Sequence, residues 1–175
     1  MNSIELVSHA LAKIGSHPIT SFDDGSVEAA VATTAYPLAK RRVLSSFTWS
    51  FATREDSLNR LKDGGFAIPR DFLRAVKVDP RVEYKIMDGR LIAPTESIRL
   101  TYIADVAESL FPPMFASALT SVLAAEFAMM LLDDAGRYGL MERAALLELR
   151  EARLADSAQA SPKRIRNFAL SDVRS

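Results

Sequence analysis

The sequence predicts an α+β protein: about four helices forming a bundle, a small antiparallel β-sheet inserted between the second and third of them, and an extended C-terminal tail. Three observations carry this. Apolar residues recur at helical spacing up to Phe47 and again from Pro113 to Ala158. Between Trp49 and Ala104 the spacing drops to two, and beyond Gln159 no period survives. A chain of 175 residues with 49% apolar and 25% charged residues is long and apolar enough to bury one core.

The first helix is expected from Ser3, a capping residue, to Gly15, with Ile4, Val7, Leu11 and Ile14 on one face. A loop with Pro18 and the Asp23-Asp24-Gly25 turn follows. The second helix runs from about Ser26 to Phe47, its apolar face drawn from Val27, Val31, Tyr36, Leu38, Val43, Leu44 and Phe47, with a kink expected at Pro37. Trp49, Phe51 and Thr53 then alternate with Ser50, Ala52 and Arg54 as in a half-buried strand. Further strands are predicted at Phe72–Val78, Val82–Met87, Arg90–Ala93 and Ile98–Ala104. Asp88-Gly89 between two of them signals a tight hairpin, because both central residues of that turn take positive φ. Pro112-Pro113 restarts helix; an Ala-rich helix to Ala135 and another over about 140–158 are expected to pair as an antiparallel hairpin, with Gly136 and Gly139 in the connection. Residues 1–47 and 113–158 thus make a helical body, 48–112 a β subdomain and 159–175 a tail.

Phe115–Leu132 carries Glu126 as its single charge and reaches the lower length limit for crossing a bilayer. Five alanines, three hydroxyl residues and a central acid favour a close-packed core helix, so no membrane insertion is expected. No charged-then-apolar leader follows Met1, and no signal peptide is expected. With 22 basic and 22 acidic residues the chain is not patterned as a dedicated nucleic-acid binder. The balance is uneven along the chain, however. Residues 113–158 hold four bases and seven acids, whereas the tail holds Lys163, Arg164, Arg166 and Arg174 against Asp172 alone.

Chemistry-bearing patterns are sparse. There is no cysteine, so no thiol nucleophile, thiolate metal site or disulfide, and His9 and His17 lack the spacing of metal ligands. Asp23-Asp24, Glu55-Asp56 and Asp133-Asp134 are sequence neighbours whose carboxyls diverge in a turn or helix end. Gly64-Gly65 lacks the Gly-Lys-Ser/Thr of a phosphate loop, and no serine sits in a Gly-x-Ser-x-Gly elbow. No catalytic, cofactor-binding or metal residues are assigned, and no enzyme is expected. Lys40-Arg41-Arg42 is the one basic triplet; solvated charge is its ordinary reading, and sequence-independent contact with DNA backbone in a channel is the functional one. Trp49, Phe51 and Tyr102 suit a sheet core better than a stacking platform.

The tail is the sharper candidate. Ile165, Phe168, Leu170 and Val173 are spaced apolar anchors in a basic segment. Each buried anchor contributes about 1.5–3 kcal/mol, less than the ordering of its neighbours costs at about 1–2 kcal/mol per residue. Such a segment orders only where a partner also supplies hydrogen bonds and charge, which is the design of a docking peptide.

The order of segments resembles the tail tubular protein A family of short-tailed bacteriophages. The matching stretches are Ala10-Leu11-Ala12-Lys13-Ile14-Gly15, Ile19-Thr20-Ser21-Phe22-Asp23-Asp24, Thr48-Trp49-Ser50-Phe51-Ala52, Ile68-Pro69-Arg70-Asp71-Phe72-Leu73 and Leu100-Thr101-Tyr102-Ile103, followed by the Ala-rich helix, a polar helix and a short tail. The likeness spans nearly the whole chain. It implies a structural virion protein: a homo-oligomeric ring of about twelve copies joining the portal protein to the tail nozzle protein, with genomic DNA passing through. On that reading the protein is made in the host cytoplasm and resides in the virion tail below the portal. Lys163, Arg164, Ile165, Arg166, Phe168 and Leu170 are then the expected portal-docking residues, and Lys40, Arg41 and Arg42 candidate channel contacts. Two other readings are a head-completion adaptor of a long-tailed phage or gene transfer agent, and a small regulatory or enzyme domain. The inserted sheet speaks against the first, and the missing site motifs against the second.

Overall fold

The computed structural model describes residues 1–62 and 64–159. It is α+β, with four helices and small antiparallel sheets between the second and third of them.

Helix α1 (Ser3–Lys13) is capped by Asn2 rather than Ser3. The Asn2 side chain accepts from the Glu5 amide and the Glu5 carboxylate accepts from the Asn2 amide, both at 2.9 Å, a reciprocal capping box. Ser26 caps α2 (Val27–Ser45) by accepting from the Ala29 amide, and the helix continues through Pro37.

The face that α2 buries is only partly the expected one. Ala29, Ala32, Ala35, Tyr36, Ala39, Val43 and Leu44 are buried, while Val27 and Leu38 stand 69% and 65% exposed. Alanines lack bulk and so let the α2 backbone close on the equally Ala-rich α3 (Pro113–Leu132). Val27 and Leu38 are left outside.

α3 is the central helix. It starts on Pro113, which fits the first turn because no intrahelical N–H is needed there. The other three helices pack around it, and two-thirds of its most apolar stretch (67%) is buried inside the protein.

Asp133, in the left-handed region at φ 49°, ends α3, and Asp134 starts α4 (Ala135–Gln159). The Asp134 side chain accepts from the Arg137 amide and its carbonyl accepts from the Tyr138 amide. This cap starts the helix earlier than expected, and Gly136 and Gly139 lie inside it instead of in the connection.

The inserted part is two three-stranded sheets rather than one. The first places β6 (Ser97–Ala104) between β1 (Thr53–Asn59) and β3 (Phe72–Asp79), all antiparallel. Along β6, Ile98, Leu100 and Tyr102 face the core as the alternation predicts, and Ile103 and Ala104 are buried as well where the strand meets the helices. The second sheet pairs β5 (Arg90–Ile92) with both β2 (Phe66–Ala67) and β4 (Lys85–Met87). Asp88 and Gly89 take φ of 50° and 70°, the turn that their dipeptide predicts.

The strand expected at Trp49 begins only at Thr53. Residues Ser50–Ala52 form one 3-10 turn. The fully buried Trp49 donates its indole N–H to the Val43 carbonyl at 3.0 Å, and this anchor turns the chain away from extended structure. The aromatic alternation therefore marks a cluster: Trp49 and Phe51 both pack on Phe115, with ring centres 5.0 and 4.9 Å away.

Candidate docking surfaces

The outer side of α4 carries a row of leucines. Leu140, Leu147 and Leu154 recur every seven residues and are 62%, 62% and 64% exposed. At 1.5 Å rise per residue the row is about 21 Å long. The opposite side holds Ala145, Ala152 and Asp156, all buried. Arg143, Arg150 and Glu151 flank the leucines, exposed and without an ion pair among the described residues. α2 presents a matching outer surface. Val27, Ala30, Thr34, Pro37 and Leu38 are exposed on it, with Val31 half-buried. Asp23 and Asp24 lie at its N-terminal end and Arg41 at its C-terminal end. Asp24 is firmly anionic: the Ser26 hydroxyl, then the Ser26 and Thr20 amides, hold its carboxyl at about 2.

The basic triplet divides among three tasks. The Lys40 ammonium, mostly buried, stands 3.1 Å from both Asp105 and Glu108, binding α2 to the segment that follows β6. Tyr36 adds its hydroxyl to Glu108 at 2.7 Å. Burial pushes the Glu108 carboxyl up, but the Tyr36 hydroxyl, its own backbone amide and Lys40 outweigh that and hold it below the usual carboxylate range. Arg42 pairs with Glu126 of α3. Arg41 makes the loosest pair of the three: it is 60% exposed and stands 3.9 Å from Asp105. Of the candidate channel contacts, Lys40 is thus mostly buried in an ion-pair cluster, whereas Arg41 and Arg42 each pair with an acid while staying largely exposed.

No family model matches the chain, and no curated protein matches it.

At the far end of α4 the buried Asp156 accepts from the Ser50 amide at 2.9 and 3.1 Å and from the Ser50 hydroxyl at 2.6 Å. This fastens the helix end to the 3-10 turn. Beside it lies a cavity of about 130 Å³ lined by Trp49, Phe51, Pro113, Phe115 and Ala155. The expected docking residues Lys163, Arg164, Ile165, Arg166, Phe168 and Leu170 lie outside the described residues. His9 and His17 are both exposed, and no group of three metal-ligating side chains converges among the described residues.

Sequence reasoning missed Asp156, Glu108 and the outer face of α2. A signal existed for two of them. Asp156 continues the buried positions Ala145 and Ala152 at helical spacing, and Lys40, beside the buried row of α2, calls for an acid such as Glu108. A charge on such a row requires a partner.

Proposed function

We propose that this chain is the portal-to-nozzle adaptor of a short-tailed phage, a structural component of the virion tail without a catalytic role. Identical copies stand side by side in a ring, one end of each engages the portal, the other faces the nozzle, and the genome passes through the centre. The observation that carries the reading is the leucine row Leu140, Leu147 and Leu154: three large aliphatic side chains in line, each more than 60% exposed. A row of that kind is a surface for another protein. The order of segments along the chain, which resembles tail tubular protein A, says which kind of assembly. The balance of 22 bases and 22 acids suits a conduit, because tight phosphate binding along it would retard DNA.

The test is the mass of the full chain alone and after mixing with the portal ring encoded by the same genome. A small species that joins the portal in a copy number matching the portal's symmetry is the expected result. A chain that leaves the portal ring unchanged at every ratio sinks the reading.

A further inference from the structure

The geometry points to a specific contact between neighbouring copies: the α4 leucine row of one chain lies on the outer face of α2 of the next, with the two helices running in the same sense. The ring comes from the proposed adaptor role; the faces and their direction come from the structure.

Among the described residues two non-equivalent apolar faces are left open on one bundle, Leu140, Leu147 and Leu154 on α4 and Val27, Leu38 and the half-buried Val31 on α2. Each needs an occupant of similar length and apolar character, and a second copy carries it. Joining two different faces gives a head-to-tail contact, which repeats around a ring instead of stopping at a pair. Six aliphatic side chains fall short of the roughly 1,200–2,000 Å² that a free-standing complex buries. The contact is therefore weak between two copies and gains from ring closure.

Charge sets the direction. With Val27 opposite Leu140 and Thr34 opposite Leu147, Arg41 comes beside Glu151 and the Asp23-Asp24 end of α2 lies toward Arg143. The opposite sense sets Arg41 against Arg143 and turns the acids toward Glu151. Like charges facing each other across a contact disfavour it. The fold requires the same answer. Within one chain Arg42 and Tyr138 line a common cavity while Ser46 meets Arg153, so α2 and α4 run in one sense. A ring whose axis lies along these helices keeps that sense between copies.

The chain has no cysteine, so introduced thiols report the contact cleanly. Full-length Thr34→Cys and Leu147→Cys variants are mixed under mild oxidation, with and without the portal ring. The mixture should form a disulfide-linked pair at least about tenfold faster than either variant alone, and a T34C/L147C chain should give a ladder. R41E should slow the mixed cross-link, and R41E with E151R should restore it. Cross-linking of Leu147→Cys to itself at the mixed rate shows α4 meeting α4 and overturns the proposal. So does the absence of any mixed product on the portal, or a cross-link indifferent to both charge changes. Portal binding is scored separately. A ladder without portal binding keeps this contact and sinks the adaptor role, whereas portal binding without the cross-link does the reverse.

Discussion

The Asp156 carboxylate holds both the amide and the hydroxyl of Ser50, so the end of the last helix and the entry to the sheets are joined by one buried acid. Asp156→Ala leaves the Ser50 amide without its acceptor and should cost about 1–3 kcal/mol of unfolding free energy. Ser50→Ala removes only the hydroxyl and should cost about 0.5–1.5 kcal/mol. Urea unfolding of both single variants and the double variant gives their coupling. Additive losses would show that the two residues do not act on each other.

Leu38 and its neighbour Ala39 should respond opposite to a hydrophobicity ranking. Leu38 is 65% exposed, and Leu38→Gln should change the stability of the isolated chain by no more than about 0.5 kcal/mol. Ala39 is fully buried on the face that α2 turns to the core, and Ala39→Leu should cost about 1–3 kcal/mol through overpacking. Denaturation midpoints decide it. A large loss from Leu38→Gln in the monomer would mean that α2 is rotated from the orientation described.

That pair also shows how much of the fold was legible in the sequence. Element types and their order were readable because periodicity changes from helical to twofold and back, and Asp88-Gly89 marked its turn through the φ it demands. Which side of α2 faces inward was only partly readable: Tyr36, Val43 and Leu44 are buried as expected, whereas Val27 and Leu38 are not. Toward its start the helix packs through alanines, and a single sequence carries no trace of how closely two backbones approach. The same holds for Trp49 to Thr53, where alternation produced by an aromatic cluster imitated a strand. Of the candidate site, Lys40, Arg41 and Arg42 were visible as a run. Their division among Asp105, Glu108 and Glu126 depends on contacts more than sixty residues away in the chain.

Tyr36 and Glu108 make stability pH-dependent at both extremes. Glu108 sits below its ordinary value in the fold, so its contribution is full above the unfolded carboxyl value and is lost as pH falls through the folded one. Tyr36 is displaced upward, first by burial and then by its hydrogen bond to Glu108. Its contribution is full below the ordinary phenol value of about 10 and declines as pH rises beyond it. Tyr36→Phe should therefore flatten the alkaline loss and move the acid limb to higher pH. At neutral pH it should cost about 1.5–3 kcal/mol, since the bond goes to a charged acceptor. Carboxyl carbon titration of Glu108 checks the acid side: an unchanged midpoint in the variant would separate the two groups.

Removal of residues 160–175 tests the division of labour between body and tail. Among the described residues the buried core runs from Leu6 to Ala152 and Asp156 fastens α4 to the Ser50 turn, so the truncated chain keeps all of the described packing. Its unfolding midpoint should match that of the full chain within about 0.5 kcal/mol. The removed segment carries Lys163, Arg164, Ile165, Arg166, Phe168 and Leu170, the residues expected to bind the portal. Portal capture should then fall by at least about tenfold, the equivalent of 1.4 kcal/mol. In the full chain, Lys163, Arg164 and Arg166 changed together to Glu should weaken capture, and Phe168 with Leu170 changed to Ser should weaken it independently. Full portal capture by a folded, truncated chain would move the docking role to the body.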